Sequence, residues 1–104
     1  MIINLTKNNQ QEIEKAKFSV IDVFATWCGP CMDMKPIFEE IAKTHSDTYT
    51  FAELNVDENR ELAIHYGVTS VPTFIFLKEG KVVGKETGYM PMEDLVEKIE
   101  EYFE

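Results

Sequence analysis

The sequence predicts an α/β fold: a central, mixed but mainly parallel five-stranded sheet flanked by helices on both faces, in the order βαβαβαββα. Three observations predict it. Apolar residues alternate along the chain between strand-like and helical spacing. The run Phe18 to Ala25 is nearly continuous and rich in Val, Ile and Phe, as a strand covered on both faces requires. Lys78-Glu79-Gly80-Lys81 separates two further strand-like runs by a tight, glycine-containing turn, which implies an antiparallel hairpin. With 104 residues, 44% of them hydrophobic, the chain makes a single domain, residues 1–104, with a real core.

The elements follow in order. Ile2 to Leu5 is a short strand, and the helix after it has Asn9 as its cap, Glu12 reaching back, and Ile13 and Ala16 facing inward. Phe18 to Ala25 is the buried strand. The next helix places Met34, Phe38, Ile41 and His45 on one side and Asp33, Glu39, Glu40 and Lys43 on the other. Pro36 removes one backbone hydrogen bond within it and kinks its axis. Thr50 to Val56 is a strand, and Asp57 caps a short helix with Leu62, Ala63 and Tyr66 inward and Gly67 as its stop. Thr73 to Leu77 and Val82 to Glu86 form the hairpin, and Pro91 opens a last helix carrying Leu95, Val96, Ile99 and Phe103.

Ten Lys and Arg against nineteen Asp and Glu give a formal charge of -9, so phosphate backbones and anionic membranes are repelled. Nucleic acid is not an expected partner. No apolar run approaches the length that crosses a bilayer, and the first seventeen residues lack a basic start leading into an apolar stretch. The expectation is therefore a soluble protein of the cytoplasm that engages no membrane. No heptad or apolar surface stripe asks for more than a monomer.

The chemistry centres on Ala25-Thr26-Trp27-Cys28-Gly29-Pro30-Cys31-Met32, which holds both cysteines. A disulfide closing so short a loop removes little entropy from the unfolded chain, so a structural staple is a poor explanation. A structural zinc site needs four ligands, and the chain adds only His45 and His65, neither at ligand spacing. No metal is expected, and a reactive pair fits best. A helix starting near Pro30 puts Cys28 at its N-terminal boundary, where free N–H groups and the helix dipole favour a thiolate by about 0.3 to 1 kcal/mol. Cys28 is then the nucleophile and Cys31, three residues on, the resolving thiol. Gly29 allows close approach and an unusual turn, and Pro30 presets a helical φ. No histidine is placed to serve Cys28 as a base, which disfavours a cysteine hydrolase.

Trp27-Cys28-Gly29-Pro30-Cys31 resembles the active site of the thioredoxin family. The element order is similar to the thioredoxin fold over the whole chain, and Asp22, Pro36, Val71-Pro72-Thr73 and Gly88 match further positions of its pattern. The resemblance implies a protein-disulfide reductase that holds no cofactor, acts on disulfide-containing protein substrates and is reset by a flavin-containing thioredoxin reductase. An oxidant or isomerase shares the chemistry, and a non-catalytic scaffold shares the fold; changing both cysteines to serine separates the scaffold from the enzyme. On the sequence alone, an acid such as Asp22 in a strand reads as a partly wet position. The resemblance implies instead a buried acid behind the cysteines, its pKa raised, that takes the proton of Cys31. It also implies a cis Pro72 facing the pair and a Val71 backbone free to pair with extended substrate. Trp27, Gly29, Pro30, Val71, Pro72 and Gly88 then form the docking surface, while Tyr89 and Met90 read as an ordinary loop.

Two departures from the pattern stand out. Glu53 occupies a place where members of the family commonly carry a lysine beside the buried acid, and Met32 a place where a lysine often follows the second cysteine. Glu53 either lies close to Asp22, so that the two titrate together, or points into solvent.

Overall fold

The structure, a computed structural model, describes residues 2–104. Strands β1 (Ile2–Asn4), β2 (Phe18–Phe24), β3 (Thr50–Asn55), β4 (Thr73–Lys78) and β5 (Lys81–Thr87) form one sheet in the spatial order β1-β3-β2-β4-β5. β3 pairs in parallel with β1 and β2, whereas β4 runs antiparallel to both β2 and β5. Four helices connect or follow the strands: α1 (Gln10–Lys15), α2 (Gly29–His45), α3 (Arg60–His65) and α4 (Met92–Phe103). The order βαβαβαββα is the one the periodicity predicts.

Alternation along the strands sends successive side chains to opposite faces and builds two cores. On one face Ile21, Val23, Ala52, Leu54, Ile75 and Leu77 pack against Ile13 of α1 and Leu62 and Ala63 of α3. On the other, Val20, Phe51, Phe74 and Phe76 pack against Met34, Phe38 and Ile41 of α2 and Leu95, Ile99 and Phe103 of α4. Phe38 is the pivot of the second core, its ring 5.6 Å from that of Phe51 in an edge-to-face pair and 6.2 Å from that of Phe74. β2 is covered by both layers, and six of its seven residues are buried, which accounts for its nearly continuous apolar run.

The departures from expectation lie at element ends. Asn9 precedes α1 but its side chain does not cap the helix; it closes the preceding loop, accepting from the Thr6 N–H at 2.8 Å and donating to the Asn4 carbonyl at 2.9 Å. Ala16 follows the helix and is half-buried. Asp57 does not cap α3, which starts three residues later after Asn59; its carboxylate is engaged by Trp27 instead. His45 is half-buried at the end of α2 and lies against Tyr49. α2 continues through Pro36, which is exposed. The β4–β5 turn puts Glu79 and Gly80 at φ of 52° and 82°, the paired positive values of a primed hairpin turn.

Tyr102 of α4 lies across Gly84 of β5, stacks on Phe76 at a centroid distance of 4.6 Å and donates a hydrogen bond to Glu86 at 2.6 Å. A Cβ at position 84 would overlap the Tyr102 ring. Gly84→Ala is therefore expected to displace that ring and lower stability by about 1 to 2 kcal/mol. In a Tyr102→Ala background the same substitution should be close to neutral. Denaturant titration of the four proteins of this cycle checks it, and equal costs in both backgrounds would contradict the contact.

Candidate active site

β2 ends at Phe24, and the chain turns through Ala25, Thr26 and Trp27 before Cys28 caps α2. Cys28 has extended backbone (φ -96°, ψ 111°), and its Sγ accepts a hydrogen bond from the Cys31 N–H at 3.2 Å. Pro30 falls in the first turn of the helix, where its missing N–H leaves no bond unmade. Cys28 and Cys31 are joined as a disulfide, with Cα atoms 5.2 Å apart. The two sulfurs are not equivalent: Cys28 is 7% exposed and Cys31 is enclosed, in a small cluster with Phe24 and Ala25. Gly29 does not adopt the unusual turn expected of it. Its φ is not left-handed, and a Cβ there would meet open space, so its contribution is the clearance it leaves beside the disulfide.

Asp22 shares the α2/α4 face of β2 with Val20 and is fully buried; among the described residues neither carboxyl oxygen finds a hydrogen-bond partner. In the sheet it sits between Glu53 of β3 and Phe74 of β4. Its pKa is raised from 3.8 to about 7, first by burial, then by the Glu53 carboxylate, with Lys35 opposing both. Glu53 does not point into solvent. It forms an ion pair with Lys35 of α2 at 3.1 Å, and the Lys35 ammonium also lies 3.9 Å from the centre of the Phe24 ring.

Trp27 is 72% exposed, and its indole N–H donates to Asp57 at 2.9 Å. Beside it an apolar groove of about 450 Å³ runs between Ile64 of α3 and the segment Val68 to Val71. Of the expected docking residues this groove takes Trp27 and Val71; Gly29, Pro30, Pro72 and Gly88 do not line it. The Val71–Pro72 peptide bond is cis, Pro72 is buried, and among the described residues no hydrogen bond from another turn or loop backbone engages Val71. The Gly88 N–H donates to the Pro72 carbonyl at 2.9 Å, and its φ of 103° restricts the position to glycine. The loop following Gly88 is tied down through Met90, whose N–H donates to the Met34 sulfur at 3.3 Å. Sequence reasoning missed Lys35 and the Asp57 partner of Trp27. The lysine carries one signal, its place four residues after Cys31 on the same helix; the aspartate carries none. Among the described residues no helix is long and apolar enough to cross a membrane, and no cluster of three or more His, Cys, Asp or Glu is arranged to hold a metal.

A buried acid with a raised pKa destabilises the fold at high pH. Below about pH 4 both folded and unfolded chains hold the Asp22 proton. Between 3.8 and about 7 the unfolded chain releases it and the folded chain does not, so stability falls as pH rises, by about 4 kcal/mol once the folded pKa is passed. The stability of Asp22→Asn relative to the parent should therefore climb by that amount between pH 4 and pH 8. Denaturant titrations at both pH values check this, and a difference that stays constant would show that Asp22 ionises normally.

The geometry agrees with what is known of similar chains. The family model described as Thioredoxin matches residues 1–101. The thioredoxin of Alicyclobacillus acidocaldarius is 47% identical over 88 residues, covering 85% of this chain and 84% of the relative. That of Chlorobaculum thiosulfatiphilum is 41% identical over 97 residues, covering 92% and 90%. The solved structure of Plasmodium falciparum thioredoxin superposes with a TM-score of 0.87 at 32% identity, over 97% of this chain and 99% of that one. With its paired cysteines at the start of α2, the chain belongs to the thioredoxin family and is a thiol-disulfide oxidoreductase.

Proposed function

We propose that the protein works as a disulfide reductase in which Cys28 attacks, Cys31 resolves and Asp22 serves as the base for resolution. One observation carries this division of labour: Cys28 keeps 7% exposure where it caps α2, while Cys31 is fully buried in the first turn of the helix, which packs on the face of the sheet that Asp22 occupies by alternation. The Cys28 thiolate displaces one sulfur of a substrate disulfide, forming a mixed disulfide, and the departing thiolate takes a proton from water. Asp22 then accepts the Cys31 proton. The Cys31 thiolate bonds to Cys28 sulfur, and the substrate's second sulfur leaves with the electron pair of the broken bond. Two electrons have passed from the dithiol to the substrate, and the Cys28–Cys31 disulfide remains.

Trp27, Gly29 and Pro30 shape the rim of the attacking sulfur. The backbone at Val71, with Pro72 and Gly88 behind it, offers a place for an extended substrate segment to add as a strand, which reads backbone and so tolerates many sequences. The family supports a thioredoxin reductase as the electron donor. The family supports a cytoplasmic location, and we read the protein as a monomer that itself holds no cofactor.

Insulin reduction driven by reductase and NADPH tests the reading. Cys28→Ser is expected to abolish turnover. Cys31→Ser should accumulate a mixed disulfide visible by mass, because attack proceeds and release does not. Asp22→Asn should leave the rate of attack unchanged and slow resolution at least about 10-fold near pH 7. Mixed disulfide accumulating on Cys31 in the Cys28→Ser protein, as fast as on Cys28, would reverse the assignment.

A further inference from the structure

Lys35 and Glu53 stand where neither the fold nor the cysteine chemistry demands a charge. Glu53 is the in-register neighbour of Asp22 on the adjacent strand, and alternation with Phe51 and Val20 puts both side chains on the α2/α4 face. Lys35 lies one helical turn past Cys31. Its ammonium is fixed between the Glu53 carboxylate at 3.1 Å and the Phe24 ring at 3.9 Å, and the two side chains are only 29% and 17% exposed. β4 pairs Phe74 with Asp22, and the buried side chains that α4 packs on this face, Leu95, Ile99 and Phe103, are apolar. On α2 the buried titratable group is Cys31, once reduced, whereas Asp33, Glu39, Glu40 and Lys43 are exposed on the other side of the helix.

We propose that Lys35 and Glu53 are positioning residues for the resolving step: they hold one charge of each sign against the Asp22 carboxyl and so set the pH above which it accepts the Cys31 proton. The proposal rests on the reading of Asp22 as the base. The two charges act in opposite directions, since Glu53 favours the protonated acid and Lys35 favours the carboxylate. The influence of each on the ionisation of Asp22 has these signs. The pair also holds the cation on α2, the helix that carries Cys31, so any movement of α2 during exchange alters the balance of charge felt by Asp22. The proton itself passes from Cys31 sulfur to an Asp22 oxygen and is later lost to water, and neither Lys35 nor Glu53 takes it.

Because the signs are opposite, the pair is separable from a merely structural ion pair, whose loss would change stability and leave the titration of Asp22 in place. The test uses Glu53→Gln and Lys35→Met, the latter keeping the aliphatic stem in contact with Phe24. Carboxyl-carbon NMR of the oxidised protein reads the Asp22 midpoint. A peptide disulfide whose halves carry different fluorophores reads chemistry, because attack frees one half and resolution the other. In Glu53→Gln the Asp22 midpoint and the pH at which resolution accelerates should both fall by about one pH unit; in Lys35→Met both should rise by a similar amount. The pH dependence of attack should not follow them. Midpoints that stay put, or move in the same direction in both variants, overturn the role of the pair, and the effect of Asp22→Asn on resolution is then still intact. A midpoint that moves while the resolution profile does not overturns the pair's role and the role of Asp22 as base together.

Discussion

The most expensive group in this molecule is the Asp22 carboxyl, placed in the middle of the central strand with no exposure and no hydrogen-bond partner among the described residues. The surrounding structure makes that position possible. β2 is held on one side by β3 and on the other by β4, and the layers of α1 with α3 and of α2 with α4 exclude water from both faces. Only a strand fixed so thoroughly can carry an acid that opposes folding above its pKa. The same strand delivers the chain to the start of α2, so the group that costs stability and the pair that does the chemistry are set by one element.

The second determinant is the asymmetry between the two sulfurs. α2 begins at Gly29, so Cys28 belongs to the turn leading in and Cys31 to the first helical turn, facing the sheet. The N–H of Cys31 points at Cys28 sulfur, and no basic side chain lies in the first turn of the helix. Within the first turn of α2, what favours a Cys28 thiolate is therefore backbone: the Cys31 N–H and the helix dipole. The nearest cation along the helix, Lys35, is committed to Glu53 and lies toward Asp22. The Lys35 charge acts on the buried acid, favouring the Asp22 carboxylate against burial and Glu53.

Much of this was legible in the sequence, for identifiable reasons. The strands and helices announced themselves because each buries one face or two, and burial writes a period of two or of 3.6 into apolar positions, as at Phe18 to Phe24 and at Met34, Phe38 and Ile41. The cysteine pair, the cis Pro72 and Gly88 followed from the motif that the chain shares with its family. What could not be read were polar partners distant in sequence. Asp57 looked like a helix cap because caps are local, yet its carboxylate is drawn to an indole N–H thirty residues away. Lys35 drew no reading from the sequence, and its meaning appears only when β3 brings Glu53, eighteen residues on, under the helix. Asn9 was misjudged in the same way, its amide closing a loop instead of opening a helix.

With no basic side chain in the first turn of α2 and a charge of -9 on the chain, the dithiol form is expected to be only weakly stabilised. A weakly stabilised dithiol is a good electron donor, because stabilising the reduced form is what turns such a pair into an oxidant. The most direct measurement is the reduction potential of the Cys28–Cys31 pair, obtained by equilibration in graded thiol–disulfide buffers and trapping of free thiols. The expected value lies at or below the glutathione poise of about -220 to -260 mV. A value near about -120 mV, typical of a strong oxidant, would contradict it and assign the protein to disulfide formation.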